Sequence, residues 1–176
     1  MSGEALNIDL GDFINALFAL LRPLSLDTGI EDPPLVTANA SRLQPGRAKP
    51  AASSTSTLLF RCLHSIFFGK TASIAPPWRA AAYAKRLVEC ALLFPPSTAK
   101  QSFEFVRALM VKEPKLEAML DTEERTFDGV YKAEMDDPQL MNPFASSLWE
   151  LEVLATRHWD KPARAEALKL REGNTT

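Results

Sequence analysis

The chain has 176 residues, a hydrophobic content of 46% and a formal net charge of −2. This length is enough for one domain with a hydrophobic core. No apolar run reaches the length that crosses a bilayer, and the N-terminus lacks the basic start and apolar core of a signal peptide. We therefore expect an intracellular protein without membrane contact. The charge is lopsided, because no acidic residue occurs between Pro33 and Val88, whereas the chain turns acidic after Gln101.

The first predicted helix runs from Leu10 to about Arg22, with apolar residues at helical spacing along one stripe. Pro23 follows its predicted end. Part of this stripe is expected to pack on a partner or on sequence outside the chain, and the candidate partner-binding residues are Phe13, Leu17 and Leu21. Residues 23–53, rich in Pro, Ala and Ser, cannot bury enough surface to offset the entropy of ordering them. They predict a flexible insertion.

Four helical segments follow the insertion. The segment from Thr55 to Phe68 is apolar on nearly every side, which predicts a central helix that its neighbours cover. Pro76-Pro77 opens an alanine-rich helix to about Leu93, and Ser97 is expected to cap the next one. A short element is predicted over residues 115–120.

The segment from 128 to 151 has the least generic composition of the chain. Asp128-Gly129 predicts a turn, and Asn142 with Pro143 predicts the start of a helix over residues 143–157. Trp149 is expected to be a buried anchor beside Tyr131, so Trp149→Ala would cost ~3–5 kcal/mol of stability. A last helix is predicted over residues 162–171.

No segment shows strand alternation bounded by hairpin turns, so we predict an all-α protein. Consecutive helices with short, proline-rich joints suggest antiparallel helix pairs stacked as a HEAT/armadillo-like array. The sequence contains no clean internal repeat that would establish the array on its own.

The residue types that carry catalysis or bind metals do not form a recognisable pattern. Cys62 and His64 are two residues apart on a predicted helix, which points them in different directions. The acidic residues after Asp128 lack the alternating spacing of an EF-hand loop, and no Cys/His tetrad is present for zinc. Gly69-Lys70-Thr71 lacks the earlier glycine of a phosphate-binding loop. We expect a non-enzymatic protein without a cofactor.

Three stretches of the sequence resemble the CCAAT-binding-factor (CBF) domain of nucleolar ribosome-assembly proteins, most closely that of the nucleolar complex-associated protein three family. They lie at 77–87 (PWRAAAYAKRL), 128–151 (DGVYKAEMDDPQLMNPFASSLWEL) and 161–163 (KPA). The resemblance implies a single CBF-type domain over residues 1–176, as the C-terminal part of a larger protein. Residues 157–162 (RHWDKP) depart from the His-x-His-Pro-like element usual at this point in that family.

The resemblance also implies a function. Proteins of this family act in the nucleolus and nucleus in assembly and transport of precursors of the large (60S) ribosomal subunit, and they are linked to DNA replication initiation. It implies a heterodimer with a member of the nucleolar complex protein two family, together with other pre-60S assembly factors, and contact with pre-rRNA or chromatin. We therefore expect a helical scaffold domain.

Two sets of exposed charges are candidate contacts. Asp136 and Asp137 form an acidic turn that is a candidate partner-binding surface. The alternative function is a stand-alone nucleic-acid-binding module, because a basic face could meet phosphates. Its candidate contacts are Arg61, Lys70, Arg79, Lys85 and Arg86.

Overall fold

The computed structural model describes residues 10–33, 53–69, 76–121 and 129–173. All regular structure in these ranges is helical, which confirms the all-α prediction. The α-helices are α1 (Leu10–Ser25), α2 (Thr55–Phe68), α3 (Pro77–Ala91), α4 (Pro96–Lys112), α5 (Glu150–Arg157) and α6 (Lys161–Arg171). Two 3-10 helices, Pro114–Met119 and Pro143–Ala145, lie between α4 and α5.

Helix α3 is the centre of the fold. From Ala80 to Val88 every side chain on it is buried, and α1, α4, α5 and both 3-10 helices contact it. Small side chains let neighbouring helices approach closely on several sides at once. Five alanines supply this on α3: Ala80, Ala81, Ala82, Ala84 and Ala91.

Tyr83 joins the core aromatic rings to the backbone of α1. Its ring lies edge-on to Phe18 and Phe67, with centroids 5.1 Å and 5.0 Å away. Its hydroxyl donates to the carbonyl of Ile14 at 2.5 Å. Burial raises the pKa of the Tyr83 phenol, so the hydroxyl keeps its proton and stays a donor.

Consecutive helices pack in pairs, α3 against α4 and α5 against α6, while α6 also packs on α4 and α2 packs on α4. This arrangement is consistent with a HEAT-like array. It places α3 in the interior and leaves the other α-helices with faces toward solvent.

Helix α1 continues past its predicted end. It reaches Ser25, and Pro23 lies inside its last turn instead of after it. The stripe predicted as a partner surface is largely internal: Leu17 is 7% exposed and Leu21 is 0% exposed. The expectation that these two leucines bind a partner is therefore wrong, since α3 of the same chain covers them. Phe13 is 50% exposed and stays a candidate.

Helix α2 has the predicted bounds but not the predicted environment. Leu58 and Phe68 are exposed, so this helix lies at the edge of the fold and not at its centre. Its C-terminal end is fixed by Lys112, whose ammonium donates to the carbonyl of Phe67 at 2.5 Å. A Cβ at Gly69 would lie 2.2 Å from the carbonyl oxygen of Ser65, which explains the glycine there.

Part of the predicted insertion is structured. Within residues 23–33, Ile30 is 0% exposed, and its carbonyl accepts a hydrogen bond from the amide of Ser56 at 2.9 Å. The flexible-insertion prediction is therefore wrong for this part. Residues 34–52 and Lys70 lie outside the described residues.

Helix α4 is capped by a distant residue. Ser97 was expected to be its cap, but the helix begins at Pro96 with Pro95 as the N-cap residue. The carboxylate of Glu31 instead accepts from the amide and the hydroxyl of Thr98, at 2.7 Å and 2.8 Å. A carboxylate satisfies the first amides of a helix well because it also complements the helix dipole.

The helix predicted from residue 143 starts seven residues later. Asn142 adopts a left-handed conformation with φ 51°, and its side chain makes no capping hydrogen bond among the described residues. A single 3-10 turn follows, and then the amide of Leu148 donates to the carbonyl of Met119 at 2.7 Å. The chain is extended at Ser146 and turns at Trp149, and α5 begins at Glu150.

The last helix is tied to α4 through a carboxylate. Asp160 caps α6 by accepting from the amide of Ala163 at 2.7 Å. Glu166 pairs with Lys169 at 2.7 Å on the same helix and with Arg107 on α4 at 2.9 Å. Hydrogen bonds from Lys169 and then Arg107 lower the pKa of the Glu166 carboxyl.

We predict that Glu166→Gln lowers the free energy of unfolding by about 0.5–1 kcal/mol at pH 7. A carboxyl with a lowered folded-state pKa stabilises the fold above its ordinary pKa, and this stability is lost as the pH falls through the folded pKa. Urea unfolding of both proteins across acidic pH should therefore give converging stabilities. Glu104→Gln, at an exposed carboxylate on α4, is the control. A difference that persists in acid would contradict the assignment.

Candidate functional site

The most polar part of the interior lies where α3 meets the segment 129–149, which we call the clamp segment. Lys85 is 0% exposed, and its ammonium contacts both carboxylate oxygens of Glu150 at 2.5 Å and 2.8 Å. It also donates to the carbonyl of Ser147 at 2.8 Å. The rings of Tyr131 and Trp149 lie 5.3 Å and 5.4 Å from the same nitrogen. These contacts enclose a charge that would otherwise be costly to bury.

Arg86 holds the middle of the clamp segment by its backbone. It donates to the carbonyls of Ala133 at 3.1 Å and Met135 at 2.5 Å, and its guanidinium lies 4.4 Å from the ring of Phe18. It also pairs with the carboxylate of Asp136 at 3.4 Å. A guanidinium carries five donors in a fixed plane, which suits several carbonyls of an irregular segment at once.

Two further contacts tie the clamp segment to α1 and α3. Arg22 donates to the carbonyl of Ala133, and the hydroxyl of Tyr131 donates to the carboxylate of Glu89. Burial, and then the hydrogen bond to Glu89, raise the pKa of the Tyr131 phenol. The segment has little regular structure, so these side chains supply the donors that a helix would supply from its own backbone.

Glu150 is the carboxylate of this cluster. Burial raises the pKa of its carboxyl, and the hydrogen bonds and charge of Lys85 act in the opposite direction. Lysine, glutamate and tyrosine can serve as acids or bases in enzymes. Lys85 and Glu150 have side chains 0% and 1% exposed, so a substrate has no access to them. The cluster is therefore built to hold the clamp segment in one conformation.

The structure divides the predicted basic face. Lys85 and Arg86 are buried, so the expectation that they contact nucleic acid is wrong. Arg61 is exposed on α2, while Arg79 is half-buried with its guanidinium 5.3 Å from the ring of Trp78. Two of the four described members of the predicted basic face are therefore inside the fold.

The predicted acidic turn is joined to the basic residues instead of standing apart. Asp136 pairs with Arg86 while 64% of its side chain stays exposed. Asp137 accepts from the amide of Gln139 at 2.8 Å, which closes its own turn. Gly129 shapes the segment's start with φ 115°, where a Cβ would lie 2.4 Å from the side-chain nitrogen of Asn142. Asp136 therefore stays a candidate partner contact, and Asp137 has a structural role.

This arrangement involves two of the three stretches that carried the family resemblance. Residues 77–87 contribute the buried cations, and residues 128–151 contribute the carbonyls and carboxylates that they hold. The sequence model described as the CBF/Mak21 family matches residues 1–162. The chain belongs to the CBF/Mak21 family.

Curated relatives extend the CBF/Mak21 match to several eukaryotes. The chain is 31% identical over 155 residues to "Nucleolar complex-associated protein 3" of Saccharomyces cerevisiae, covering 87% of this chain and 23% of that protein. The Schizosaccharomyces pombe protein of the same name is 27% identical over 169 residues, covering 93% and 22%. "Nucleolar complex protein 3 homolog" of Danio rerio is 29% identical over 171 residues, covering 97% and 18%. The chain thus spans less than a quarter of these relatives, and the family prediction is confirmed.

The described part of this CBF/Mak21 chain contains no group of three or more His, Cys, Asp or Glu residues that could hold a metal ion. Nor does any helix in those ranges have the length and apolarity to span a membrane. Both cysteines are free thiols. Cys90 is buried and approaches the carbonyl of Leu21 at 3.5 Å, and burial raises its pKa to about 11, which suits a packing role.

Sequence reasoning missed where the CBF/Mak21 domain exposes its tryptophans. Trp149 is 52% exposed and Trp159 is 78% exposed, so neither is a core anchor. The signal was present for Trp149, because Trp149, Val153 and Arg157 recur every fourth residue and share the outer face of α5. The core face of α5 carries Leu151 and Leu154 instead.

We expect Trp149→Ala to cost about 1–2 kcal/mol, which is less than a buried tryptophan would, because half of the side chain is already in water. The remaining cost comes from uncovering the ammonium of Lys85. Urea unfolding followed by circular dichroism measures it. A loss as large as that of a core Phe18→Ala variant would contradict the surface placement.

The buried pair gives a sharper prediction. Glu150→Leu leaves the Lys85 ammonium buried without its carboxylate, so we expect a loss of about 3–5 kcal/mol. The double variant Lys85→Met/Glu150→Leu removes both charges and should recover most of that loss, apart from the donor to Ser147. Chemical denaturation of wild type, Glu150→Leu, Lys85→Met and the double variant completes the cycle.

The control for this cycle is Glu152→Leu, which breaks the partly exposed pair between Glu152 and Arg171 at 2.6 Å. It should cost less than about 1 kcal/mol. If the double variant is no more stable than Glu150→Leu alone, the loss does not come from an unpaired charge on Lys85. The buried ion pair would then stabilise the fold in its own right.

Proposed function

We propose that this chain is a non-enzymatic helical scaffold domain, the C-terminal part of a nucleolar ribosome-biogenesis factor that acts in assembly and transport of large-subunit (60S) precursors. The observation that carries the proposal is the burial of Lys85, Arg86 and Glu150 under the clamp segment. These buried charged side chains hold the clamp segment in one conformation. The result is a rigid surface, which is what a docking platform requires.

The names of the relatives support the location. The yeast and vertebrate proteins are named as nucleolar complex proteins, which supports a nucleolar and nuclear location and work within a multi-protein complex. Our proposed partners are a member of the nucleolar complex protein two family and other pre-60S assembly factors. A second role in DNA replication, through chromatin, belongs to the same proposal and rests on the family resemblance alone.

The alternative, a stand-alone nucleic-acid-binding module, has less support. Binding to a phosphate backbone needs several accessible cations, and its affinity falls steeply with salt. Two of the five predicted contacts are buried, and Lys70 lies outside the described residues. Arg61 is accessible to a phosphate, since its side chain is exposed on α2.

Affinity purification of the full-length protein tests the proposal. We expect pre-60S particles, including a nucleolar complex protein two family member, to be recovered with the wild-type protein. The clamp variant Glu150→Leu should recover less, because its surface is no longer held in place. The variant Glu152→Leu is the matched control. Recovery of the wild-type protein without ribosome-assembly factors would overturn the scaffold function.

A second arm separates protein docking from RNA binding. Labelled pre-rRNA is titrated with the full-length protein at low and high salt, comparing wild type with Arg61→Ala. The scaffold function predicts that Arg61→Ala leaves both affinity and salt dependence unchanged. A reduced salt slope in this variant would favour the nucleic-acid-binding alternative.

A further inference from the structure

An exposed apolar surface lies where the C-terminal end of α3 faces α5. Leu92 and Leu93 directly follow α3 and are 41% and 60% exposed, and Val153 on α5 is 39% exposed. Trp159, between α5 and α6, is 78% exposed. Four large apolar side chains in one neighbourhood exceed the scattered exposure that is normal for a soluble surface.

These side chains border two hollows that share Leu93. One hollow, of about 260 Å³, is lined by Leu92, Leu93, Val153 and Trp159 together with Arg157 and His158. The other, of about 280 Å³, continues past Leu93 to Leu26 and Cys90. Leu93 therefore forms a ridge between two cavities, and we call the whole surface the α3–α5 groove.

The groove is held in shape by the backbone. The amides of Leu92 and Leu93 donate to the carbonyls of Glu89 and Cys90, at 3.3 Å and 2.9 Å. The ring of His158 stacks on Trp159 with centroids 5.9 Å apart and accepts from the amide of Asp160 at 3.1 Å. A groove that is already formed costs less to occupy, because few side chains lose freedom on binding.

The charge of the groove is one-sided. Arg157 is exposed and makes no ion pair with a carboxylate among the described residues. The described side chains that line its hollow include no carboxylate. At the other hollow, Arg22 faces Glu89 at 3.8 Å, so that end is balanced. An occupant that matches this surface carries a negative charge at the Arg157 end.

We propose that the α3–α5 groove binds an amphipathic helix of a protein partner, with two apolar side chains in the two hollows and an acidic side chain at Arg157. Residues three or four apart on a helix stand about 5–6 Å from each other, which suits two adjacent hollows divided by one leucine. This proposal rests on the scaffold function and identifies the surface through which it works.

The same observations disfavour other occupants. A nucleic acid would need several exposed cations along a track, whereas one unpaired arginine borders an aliphatic floor of leucine and valine. A membrane surface would need a basic cluster beside the apolar residues. Tryptophan and arginine beside small hollows are instead the residue types that dominate binding energy at protein interfaces.

Site-directed crosslinking tests the proposal directly. The full-length protein carries photoreactive benzoylphenylalanine in place of Leu93, and its purified complexes are irradiated and mapped by mass spectrometry. The matched control carries the same group in place of Val111, which is 62% exposed on α4 and lines neither hollow. We expect position 93, and not position 111, to crosslink to a helical segment of another protein with apolar residues three or four apart and an acidic residue within one turn.

A charge reversal checks the role of Arg157. Arg157→Glu should reduce the crosslink yield at position 93 at least tenfold, and exchanging the mapped acidic residue of the partner for lysine should restore it. Lys161→Glu, at an exposed position of α6, should leave the yield unchanged. Thermal unfolding of each variant checks that the fold is intact.

The results separate the two proposals. A crosslink to RNA, to a second copy of this chain or to a segment without the acidic and apolar pattern overturns the groove assignment, as does no crosslink at all. A crosslink of the expected pattern in complexes that lack ribosome-assembly factors supports the groove and overturns the nucleolar function. Loss of the crosslink in Lys161→Glu as well would contradict a specific contact between Arg157 and the acidic side chain of the partner.

Discussion

The buried contact between Lys85 and Glu150 is the constraint on which the rest of the structure depends. It brings together α3, which organises the core, and the first residue of α5, with the clamp segment between them in sequence. A buried charge pair adds little net stability over an apolar pair of the same shape, but a wrong partner for either charge is costly. The pair therefore selects one position of α5 on α3 and excludes neighbouring ones.

The same principle extends along α3. Arg86 and Glu89 bind the backbone and side chains of the clamp segment, while Tyr83 and Cys90 bind carbonyls of α1. One helix thus holds the irregular clamp segment and α1 through polar contacts and still packs alanines against its other neighbours. Because side chains replace the missing regular hydrogen bonds, an irregular segment becomes as fixed as a helix. A rigid outer surface over the clamp segment follows.

The helices could be read from the sequence wherever local signals decide them. Apolar composition predicted both bounds of α2, and the proline pair Pro76-Pro77 predicted the start of α3. Local signals were wrong at Asn142, where the capping residues predicted the start of a helix. The amide of Leu148 instead donates to the distant carbonyl of Met119. A pattern of neighbours in sequence carries no information about a partner that lies far along the chain.

The candidate site was harder to predict for the same reason. Lys85 and Arg86 have the composition of a solvated basic face, and their burial depends on carbonyls and carboxylates that lie 47 to 65 residues away. The stretch that identified the family did indicate the right region. Its role there, however, is to receive hydrogen bonds from α3, which the residues of the stretch alone cannot reveal.

The contact between Ile30 and Ser56 has a consequence for how this domain can vary. Those two residues are joined by a backbone hydrogen bond, and Glu31 is fixed to the start of α4, so the chain is anchored to the described core at Ile30 and again at Ser56. The free energy of closing a loop changes slowly with its length. Any chain that joins Ile30 to Ser56 must therefore bridge one fixed span, whatever the number of residues in it.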